Sequence, residues 1–385
     1  MRRWPAFCIL TSLLAFPAFA QQAPVAHVSG VMPVQAPSRA LSAVRPASEH
    51  LQMTQPVESV SAAAAVHTWK LLATLPGVIH DVSFASPLVG FAAGEHGLVY
   101  KTIDGGNTWN VALSSDTNDY FYGVQAISAK DIIVSGFYDS ATLQQGAYRW
   151  SHDGGKTWTA DLNLGKMSML KVRFAKGVDG LILNLADGST PTGAEYTSNG
   201  GKAVVDWKHA VANPSGAWFD PGYSLLTNLH ARASGINFCT SLTGGSSWGC
   251  VPSVDSVFDG PVFFLDDLRG WVGGGEIAPA VEGWMHATTD GGKTWTARTL
   301  DGPWPIRSVL FLTTKVGWAA GGNIYTGVGG IYFTSDGGQT WTVDATTGAE
   351  MGSCTQRGVS GKRKIWCAGF QAGSGYSSVI YSTTY

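Results

Sequence analysis

A turn phrase that recurs through this chain first appears as Thr102-Ile103-Asp104-Gly105-Gly106-Asn107-Thr108-Trp109. Three close copies end at Trp158, Trp295 and Trp341 and carry their aspartates at Asp153, Asp290 and Asp336. The Asp can accept backbone N–H bonds at the start of a tight turn, and the paired glycines permit positive φ. Thr and Trp then begin an outgoing strand. Each copy therefore predicts a β-hairpin whose indole packs into the core between repeats.

Short alternating strands surround each turn. Before the first turn stand the phrases Asp81 to Phe84, Val89 to Gly94 and Leu98 to Lys101. Matching phrases before the last turn are Ser308 to Phe311, Val316 to Gly321 and Ile331 to Thr334. Three strands thus precede the turn and one follows it. Four strands per repeat is the make-up of a propeller blade.

The tryptophans that close the repeats give their number. They are Trp109, Trp158, Trp207, Trp248, Trp295 and Trp341, spaced 49, 49, 41, 47 and 46 residues apart. The turn before Trp207 carries an insertion, and the turn before Trp248 has Thr243 where Asp is expected. A period of this size is typical of repeat architectures.

A seventh tryptophan, Trp69, follows Thr68 without any turn before it, yet its surroundings match the strand that begins at Thr294-Trp295. At the other end, three strands follow Trp341 and stop at Tyr385. We therefore predict an all-β, seven-bladed β-propeller of four-stranded antiparallel blades, its ring closed by the N-terminal strand joining the C-terminal blade. This closure would hide two sheet edges. Six or eight blades are the alternatives.

The N-terminal residues predict export. Arg2 and Arg3 precede an apolar run, and Ala18-Phe19-Ala20 offers small residues at a cleavage site, so residues 1–20 are predicted to be a signal peptide. A retained membrane anchor is the alternative, although the run is short for a spanning helix. Residues 21–66 are rich in Ala, Pro and Ser and predict a disordered spacer, and residues 67–385 form the propeller. We expect a periplasmic or secreted protein with no transmembrane segment after signal removal.

Charge and cysteine content narrow the possible ligands. The 25 Lys and Arg residues stand against 27 Asp and Glu residues, which predicts no nucleic-acid binding. Four cysteines outside the signal form two local pairs, Cys239 with Cys250 and Cys354 with Cys367. In an exported chain this spacing favours two disulfides over a zinc site or free thiols. No metal or other cofactor is predicted.

The turn phrase resembles the Asp-box, also called the BNR repeat, of sialidases, other propeller glycosidases and sortilin-type receptors. With the Gly-Phe-Ala or Gly-Trp-Ala strand before it, the pattern is more similar to the photosystem II stability and assembly factor family and its bacterial relatives. The resemblance covers residues 67 to 385. It implies a propeller that acts as a non-catalytic binding or assembly module, with the Asp-box aspartates and tryptophans in structural roles at the blade periphery.

Catalytic patterns are weak. A sialidase needs three arginines, and Arg173, Arg307 and Arg357 stand near the starts of three presumed inner strands, but His80 and Asp81 occupy the place where the first arginine should be. A glycosidase of another type needs two facing carboxylates, and nothing in the spacing selects a pair among Asp81, Asp220, Asp259 and Glu276. No nucleophile elbow or metal-binding histidine motif occurs.

Ligands of propellers bind at the channel mouth, which the innermost strands line. The predicted channel-mouth residues are His80, Asp81, Tyr122, Lys171, Arg173, Trp218, Asp220, Asp259, Arg307 and Arg357. Their mixture of aromatic and charged side chains suits recognition of a protein or peptide. We therefore predict a monomeric, exported, non-catalytic module that binds a partner protein or assists assembly of an envelope complex. The alternative is a carbohydrate-active propeller, either a glycoside hydrolase or a lectin, which would bind glycan.

Overall fold

The computed structural model describes residues 67–115, 118–139, 144–160, 162–163, 168–175, 180–185, 193–199, 208–210, 223–226, 230–234, 237–252, 260–276, 282–323, 325–359, 362–371 and 377–385. Within these ranges the regular structure is all β-strand. The predicted signal peptide and spacer lie outside the described residues. So do Trp207, Trp218, Asp220 and Asp259.

Four-stranded antiparallel sheets follow one another along the chain, as the repeats predict. After β1 (Lys70–Pro76), the first of them contains β2 (Ile79–Phe84), β3 (Gly90–Gly94), β4 (Leu98–Thr102) and β5 (Asn110–Ser114). The second contains β6 (Asp119–Ala126), β7 (Ile132–Asp139), β8 (Gln144–Ser151) and β9 (Leu162–Asn163). The third contains β10 (Ser168–Phe174), β11 (Gly180–Leu185), β12 (Gly193–Thr197) and β13 (Lys208–Ala210). The fourth contains β14 (Tyr223–Leu225), β15 (Ala231–Ala233), β16 (Asn237–Ser241) and β17 (Gly249–Pro252).

Two further sets of four strands are joined into one eight-stranded sheet. One set is β18 (Val262–Phe264), β19 (Gly270–Glu276), β20 (Glu282–Thr288) and β21 (Thr296–Leu300). The other is β22 (Ile306–Phe311), β23 (Gly317–Asn323), β24 (Val328–Thr334) and β25 (Thr340–Thr347). A short parallel pairing of β21 with β25 connects them, Thr299 lying beside Thr340 and Leu300 beside Trp341.

The last sheet combines both ends of the described chain. It contains β26 (Glu350–Val359), β27 (Lys362–Gln371) and β28 (Ser377–Thr384). Strand β1 lies antiparallel beside β28, from the pair Lys70–Ser382 to the pair Pro76–Ser377. The sheet order is therefore β1-β28-β27-β26, with one strand from the beginning and three from the end.

The first strands of neighbouring sheets are linked by side chains. Each first strand is a sheet edge, whose backbone N–H groups need partners outside their own sheet. On β2, Asp81 Oδ2 accepts the Val124 N–H at 3.0 Å and Ser83 Oγ accepts the Ala126 N–H at 3.0 Å, both from β6. The residue numbers of acceptor and donor increase together from one bond to the next, so these two strands run in the same direction. Further links of this kind join Gln125 to Phe174, Ser224 to Phe264, Ser308 to Cys354 and Ser353 to Val82.

The core lies between adjacent sheets and is rich in stacked aromatic rings. Trp366 stacks on Phe84 of the next sheet with ring centroids 3.7 Å apart, and Trp271 stacks on Phe311 at 3.5 Å. Both tryptophans are almost fully buried. The tryptophans that follow the turns are mostly at the edge of this core. Of these, Trp341 is fully buried, while Trp109, Trp158, Trp248 and Trp295 are half-buried.

The turn phrase forms the hydrogen bonds that its residues predict. Asp104 Oδ1 accepts the N–H groups of Asn107 and Thr108, both at 3.0 Å, and Thr108 Oγ1 donates to Oδ2 at 2.6 Å. Gly105 and Gly106 both have positive φ, 77° and 96°, which only glycine adopts without strain. The turns at Asp153, Asp290 and Asp336 repeat these bonds.

This turn makes a pH-dependent contribution to stability. The Thr108 hydroxyl and then its N–H donate to Asp104 and hold the pKa of that carboxyl well below its usual range. Because the unfolded pKa is about 3.9, the stabilisation is fully present above that value and is lost as the pH falls through the lower folded-state pKa. We expect Asp104→Asn to unfold more easily than the wild type at pH 7 and equally easily at the acid end, as measured by urea unfolding across pH.

The matched control for this titration is Thr243→Ala. Thr243 replaces Asp in the equivalent turn, and its hydroxyl accepts the Ser247 N–H at 3.0 Å without carrying a titrating proton in this pH range. Its effect on the free energy of unfolding should stay constant with pH. A wild-type advantage over Asp104→Asn that persists unchanged at the acid end would contradict the assignment.

Trp69 has no turn before it, and its indole N–H donates to a carboxylate instead. After three of the turns, the indole N–H donates to a carbonyl of the same turn, as Trp109 does to Gly106 at 3.0 Å. Trp69 instead donates to Oδ2 of Asp344 at 2.8 Å. Similarly, Trp366 donates to the turn carbonyl of Gly105 in the next sheet, whereas Trp318 donates to Asp344 at 3.2 Å. Asp344 thus accepts both of these indole N–H groups.

Both predicted disulfides are confirmed. Cys239 of β16 is bonded to Cys250 of β17, and Cys354 of β26 to Cys367 of β27. In each pair the cysteines lie directly opposite across two antiparallel strands, with Cα atoms 4.1 Å apart. Each disulfide therefore fixes the register of one hairpin within a sheet.

Candidate functional site

The predicted channel-mouth residues that can be placed stand at different positions along the first strands. Since the linked first strands run in the same direction, their beginnings and ends lie on different sides of the molecule. His80, Tyr122 and Arg307 stand towards the beginnings of β2, β6 and β22. Arg173 and Arg357 stand near the ends of β10 and β26, and they lie close enough for their charges to interact. Lys171 lies on β10 and is half-buried.

The group at the strand beginnings is held by aromatic stacking and ion pairs. The His80 ring stacks on Tyr122 with centroids 4.2 Å apart, and Tyr122 stacks on Phe137 at 5.5 Å. His80 Nε2 lies 3.4 Å from Oε1 of Glu95. Arg307 Nε donates to Oε1 of Glu350 at 3.0 Å, which links β22 to β26. The charges on this side are therefore largely paired with one another.

Asp81 belongs to the connections between sheets. Its side chain is 1% exposed. Oδ1 accepts the Ser353 hydroxyl at 2.6 Å and the Val82 N–H at 3.0 Å, while Oδ2 accepts the Val124 N–H. Arg173 Nη1 adds a contact at 3.7 Å from β10. With its oxygens so occupied, Asp81 is poorly placed to act as a base or nucleophile.

Two positively charged side chains, Arg173 and Arg357, lie close together near the strand ends. Burial lowers the pKa of the Arg357 guanidinium, and the positive charge of Arg173 lowers it further. Arg357 Nη1 donates to the carbonyl of Gln356 at 2.8 Å, and within the described ranges no carboxylate lies in ion-pairing distance of it. Arg173 is about one-third exposed. Guanidinium groups in this setting bind carboxylate or phosphate in forked geometry, so this pair can receive an anionic group.

Among the described side chains, two further carboxylates are held by partners. Glu350 is paired with Arg307, and Asp119 Oδ2 accepts both Arg149 at 3.0 Å and the Ser115 hydroxyl. In the part of the chain that can be described, no group of three or more His, Cys, Asp or Glu residues is placed to hold a metal ion. Nor does that part contain a helix of the length and apolarity needed to cross a membrane.

Several residues that shape this region were missed by sequence reasoning. Glu350 forms an ion pair with Arg307, Glu95 lies beside His80, and the Ser353 hydroxyl donates to Asp81. Ser353 and Ser308 are the first-strand residues that stand where β2 has Asp81, and each follows a register shift in its pairing with the next strand. Aligning the sequences of the first strands at this position would have pointed to Ser353 and Ser308.

Four-stranded antiparallel sheets that are linked through their first strands make this chain a β-propeller. Its fold is similar to a solved structure of YCF48 bound to D1 peptide, with a TM-score of 0.58 and 16% identity over 84% of this chain and 100% of that one. It is also similar to YCF48 from Cyanidioschyzon merolae, with a TM-score of 0.56 and 21% identity over 82% and 98% of the two chains. An ancestral GH74 enzyme matches with a TM-score of 0.53 and 13% identity over 82% of this chain and 48% of that one.

These likenesses establish the fold. A peptide-bound protein and an enzyme both share it, so the function has to be argued from the site. No protein-family model matches the chain. No curated protein matches it either.

Proposed function

We propose that this protein is an exported, non-catalytic, seven-bladed propeller that binds a partner protein through its channel face. The blade count is supported by the sheets: six sets of four consecutive strands, from β2 to β25, and a seventh set made of β26, β27, β28 and β1. Closure of the ring is supported by the link from Ser353 of the last set to Val82 of the first. Export to the periplasm or medium rests on the signal-like residues 1–20.

The arginine pair Arg173 and Arg357 carries the binding proposal. Arg173 is about one-third exposed, its charge lies close to that of Arg357, and among the described residues Arg357 has no carboxylate within 4 Å. Guanidinium donors at a channel mouth suit a carboxylate-bearing protein segment. The likeness to YCF48 bound to D1 peptide supports a peptide or protein ligand for this chain as well.

Affinity capture from the exported fraction tests this proposal. The bait is the full propeller, compared with the double variant Arg173→Ala, Arg357→Ala. A surface control is Arg269→Ala, since Arg269 pairs with Asp266 in an exposed turn. We expect the wild type and Arg269→Ala to recover the same partner by mass spectrometry, and the double variant to recover at least roughly tenfold less, because truncated arginine anchors commonly cost 2 kcal/mol or more.

The melting temperatures of the three baits are the control. If they are equal, a difference in capture reflects binding and not a loss of folding. Capture that is unchanged in the double variant would remove the channel face from the proposal. Recovery of carbohydrate alone, or turnover of a glycoside, would instead favour the carbohydrate-active alternative.

A further inference from the structure

A polar groove lies where the two ends of the described chain meet. It has a volume of about 510 Å³ and lies between β1, β28 and the turn that follows β4. Among its lining residues are Lys70, Lys364, Asn107 and Thr384, and we call it the seam groove. Except for Leu72, its walls are hydroxyl, amide, imidazole and ammonium side chains. It is separate from the arginine pair of the channel.

Lys364 is fixed in this groove. Its Nζ donates to the carbonyl of Gly105 at 2.8 Å and lies 5.1 Å from the ring centroid of Trp366. Burial lowers the pKa of Lys364, the ammonium of Lys70 lowers it further, and Asp104 opposes these effects. Two ammonium groups therefore share the groove, and in the described part of the chain neither has a carboxylate within 4 Å.

The two ammonium groups repel each other in the groove. This repulsion would be relieved by an anion, and the hydroxyl and amide groups of the same groove can supply uncharged hydrogen bonds to its oxygens.

The next position around the propeller offers an internal comparison. A second groove of about 250 Å³ lies between β5 and the turn at Asp153, and it is lined by Lys101, Lys156 and the apolar residues Ile103, Val111 and Ala112. Lys101 donates to the Gly154 carbonyl at 2.6 Å, as Lys364 does to Gly105. The lysine that bonds to the turn is therefore a shared structural feature. Each groove also has a second lysine, Lys70 in the seam groove and Lys156 in the other, so what distinguishes the seam groove is its size and its polarity.

We propose that the seam groove binds an oxyanion of the phosphate or sulfate class, with Lys70 and Lys364 supplying the charge and Asn107 and Thr384 lining the site. Lys364 presents an ammonium that is already held in place, so little side-chain freedom is lost on binding. Lys70 is exposed and closes on the anion from the outer strand. This site goes beyond the proposed partner binding, and it does not depend on it.

Titration with inorganic phosphate, at an ionic strength held constant with sodium chloride, tests the site. Binding is followed by calorimetry and by NMR of the lysine side chains in the full propeller. We expect saturable binding that weakens roughly tenfold or more in Lys70→Met, since a charge-assisted hydrogen bond is lost. Lys156→Met removes the corresponding charge from the comparison groove and should leave phosphate binding unchanged. The pKa of Lys364 should rise when phosphate is bound.

Three outcomes would overturn the proposal: no saturation beyond the chloride reference, equal weakening in Lys70→Met and Lys156→Met, or a Lys364 signal that does not respond to phosphate. Vesicles containing phosphatidylglycerol and soluble dextran sulfate then distinguish a lipid headgroup from a polymer-borne sulfate. Of these two ligands, the one that uses this groove is displaced by inorganic phosphate and is not retained by Lys70→Met. If neither is displaced, saturable phosphate binding identifies the free anion as the ligand.

Discussion

Asp344→Ala is expected to lower the free energy of unfolding by about 3–5 kcal/mol, the range for removing one partner from a buried charged network. The Asp344 side chain is fully buried. It accepts the N–H of His67 at 3.0 Å, the indole of Trp69 at 2.8 Å and the indole of Trp318 at 3.2 Å. Alanine leaves these donors without an acceptor, and each buried unsatisfied donor costs about 1–3 kcal/mol.

Urea unfolding followed by tryptophan fluorescence measures this loss. Trp69→Phe keeps the ring and removes a single donor, so it should cost only about 1 kcal/mol. Asp301→Ala, in an exposed turn, should stay within about 0.5 kcal/mol of the wild type. If Asp344→Ala had the same free energy of unfolding as Asp301→Ala, solvent would have to replace the carboxylate. The assigned role of Asp344 would then be wrong.

Asp81→Ala is expected to cost a similar amount, about 3–5 kcal/mol, for a related reason. The carboxylate satisfies the Val124 N–H of β6 and the Ser353 hydroxyl of β26. Without it, the Val124 N–H at an inner sheet edge is buried and unpaired, and Arg173 loses its neighbouring carboxylate. The damage is therefore expected at three neighbouring sheets rather than in β2 alone.

Hydrogen exchange of the β2 and β6 amides, together with urea unfolding, checks this expectation. Ser83→Ala is the matched variant, since it removes one acceptor, that of the Ala126 N–H at 3.0 Å, from the same pair of strands. It should cost about 1 kcal/mol. Unchanged protection of the Val124 amide in Asp81→Ala would show that the bond does not hold the two strands together.

The regular parts of this fold were predictable because they rest on local patterns. The Asp-Gly-Gly turns fix their own geometry within eight residues, as at Asp104, and alternation of apolar residues gives the strands around them. The cysteine pairs were also local, 11 and 13 residues apart, and both disulfides are confirmed. The comparison structures support a propeller similar to YCF48.

The features that could not be predicted from the sequence depend on contacts between residues that are distant along the chain. Asp344 stands in an ordinary strand without a motif, and its partner His67 is 277 residues away. Sequence reasoning grouped Arg307 with Arg173 because both were expected near the starts of inner strands, but Arg307 is the second residue of β22 and Arg173 the next to last of β10. Arg307 pairs with Glu350, whereas the charge of Arg173 lies close to that of Arg357 and to Asp81. Position along a strand and the identity of a partner in another repeat are set by packing.

The links between first strands give the propeller a polarity. In each link the acceptor side chain belongs to one sheet and the N–H donor to the next sheet along the chain, as with Asp81 and Val124, and Ser353 passes the pattern from the last sheet back to Val82. Consecutive sheets therefore meet head to tail, like subunits in a heterologous interface. A run of sheets that is cut at two of these links ends in unpaired donors on one side and unpaired acceptors on the other. Two such fragments carry complementary ends, which makes the inner strands a natural place to split the protein and reassemble it.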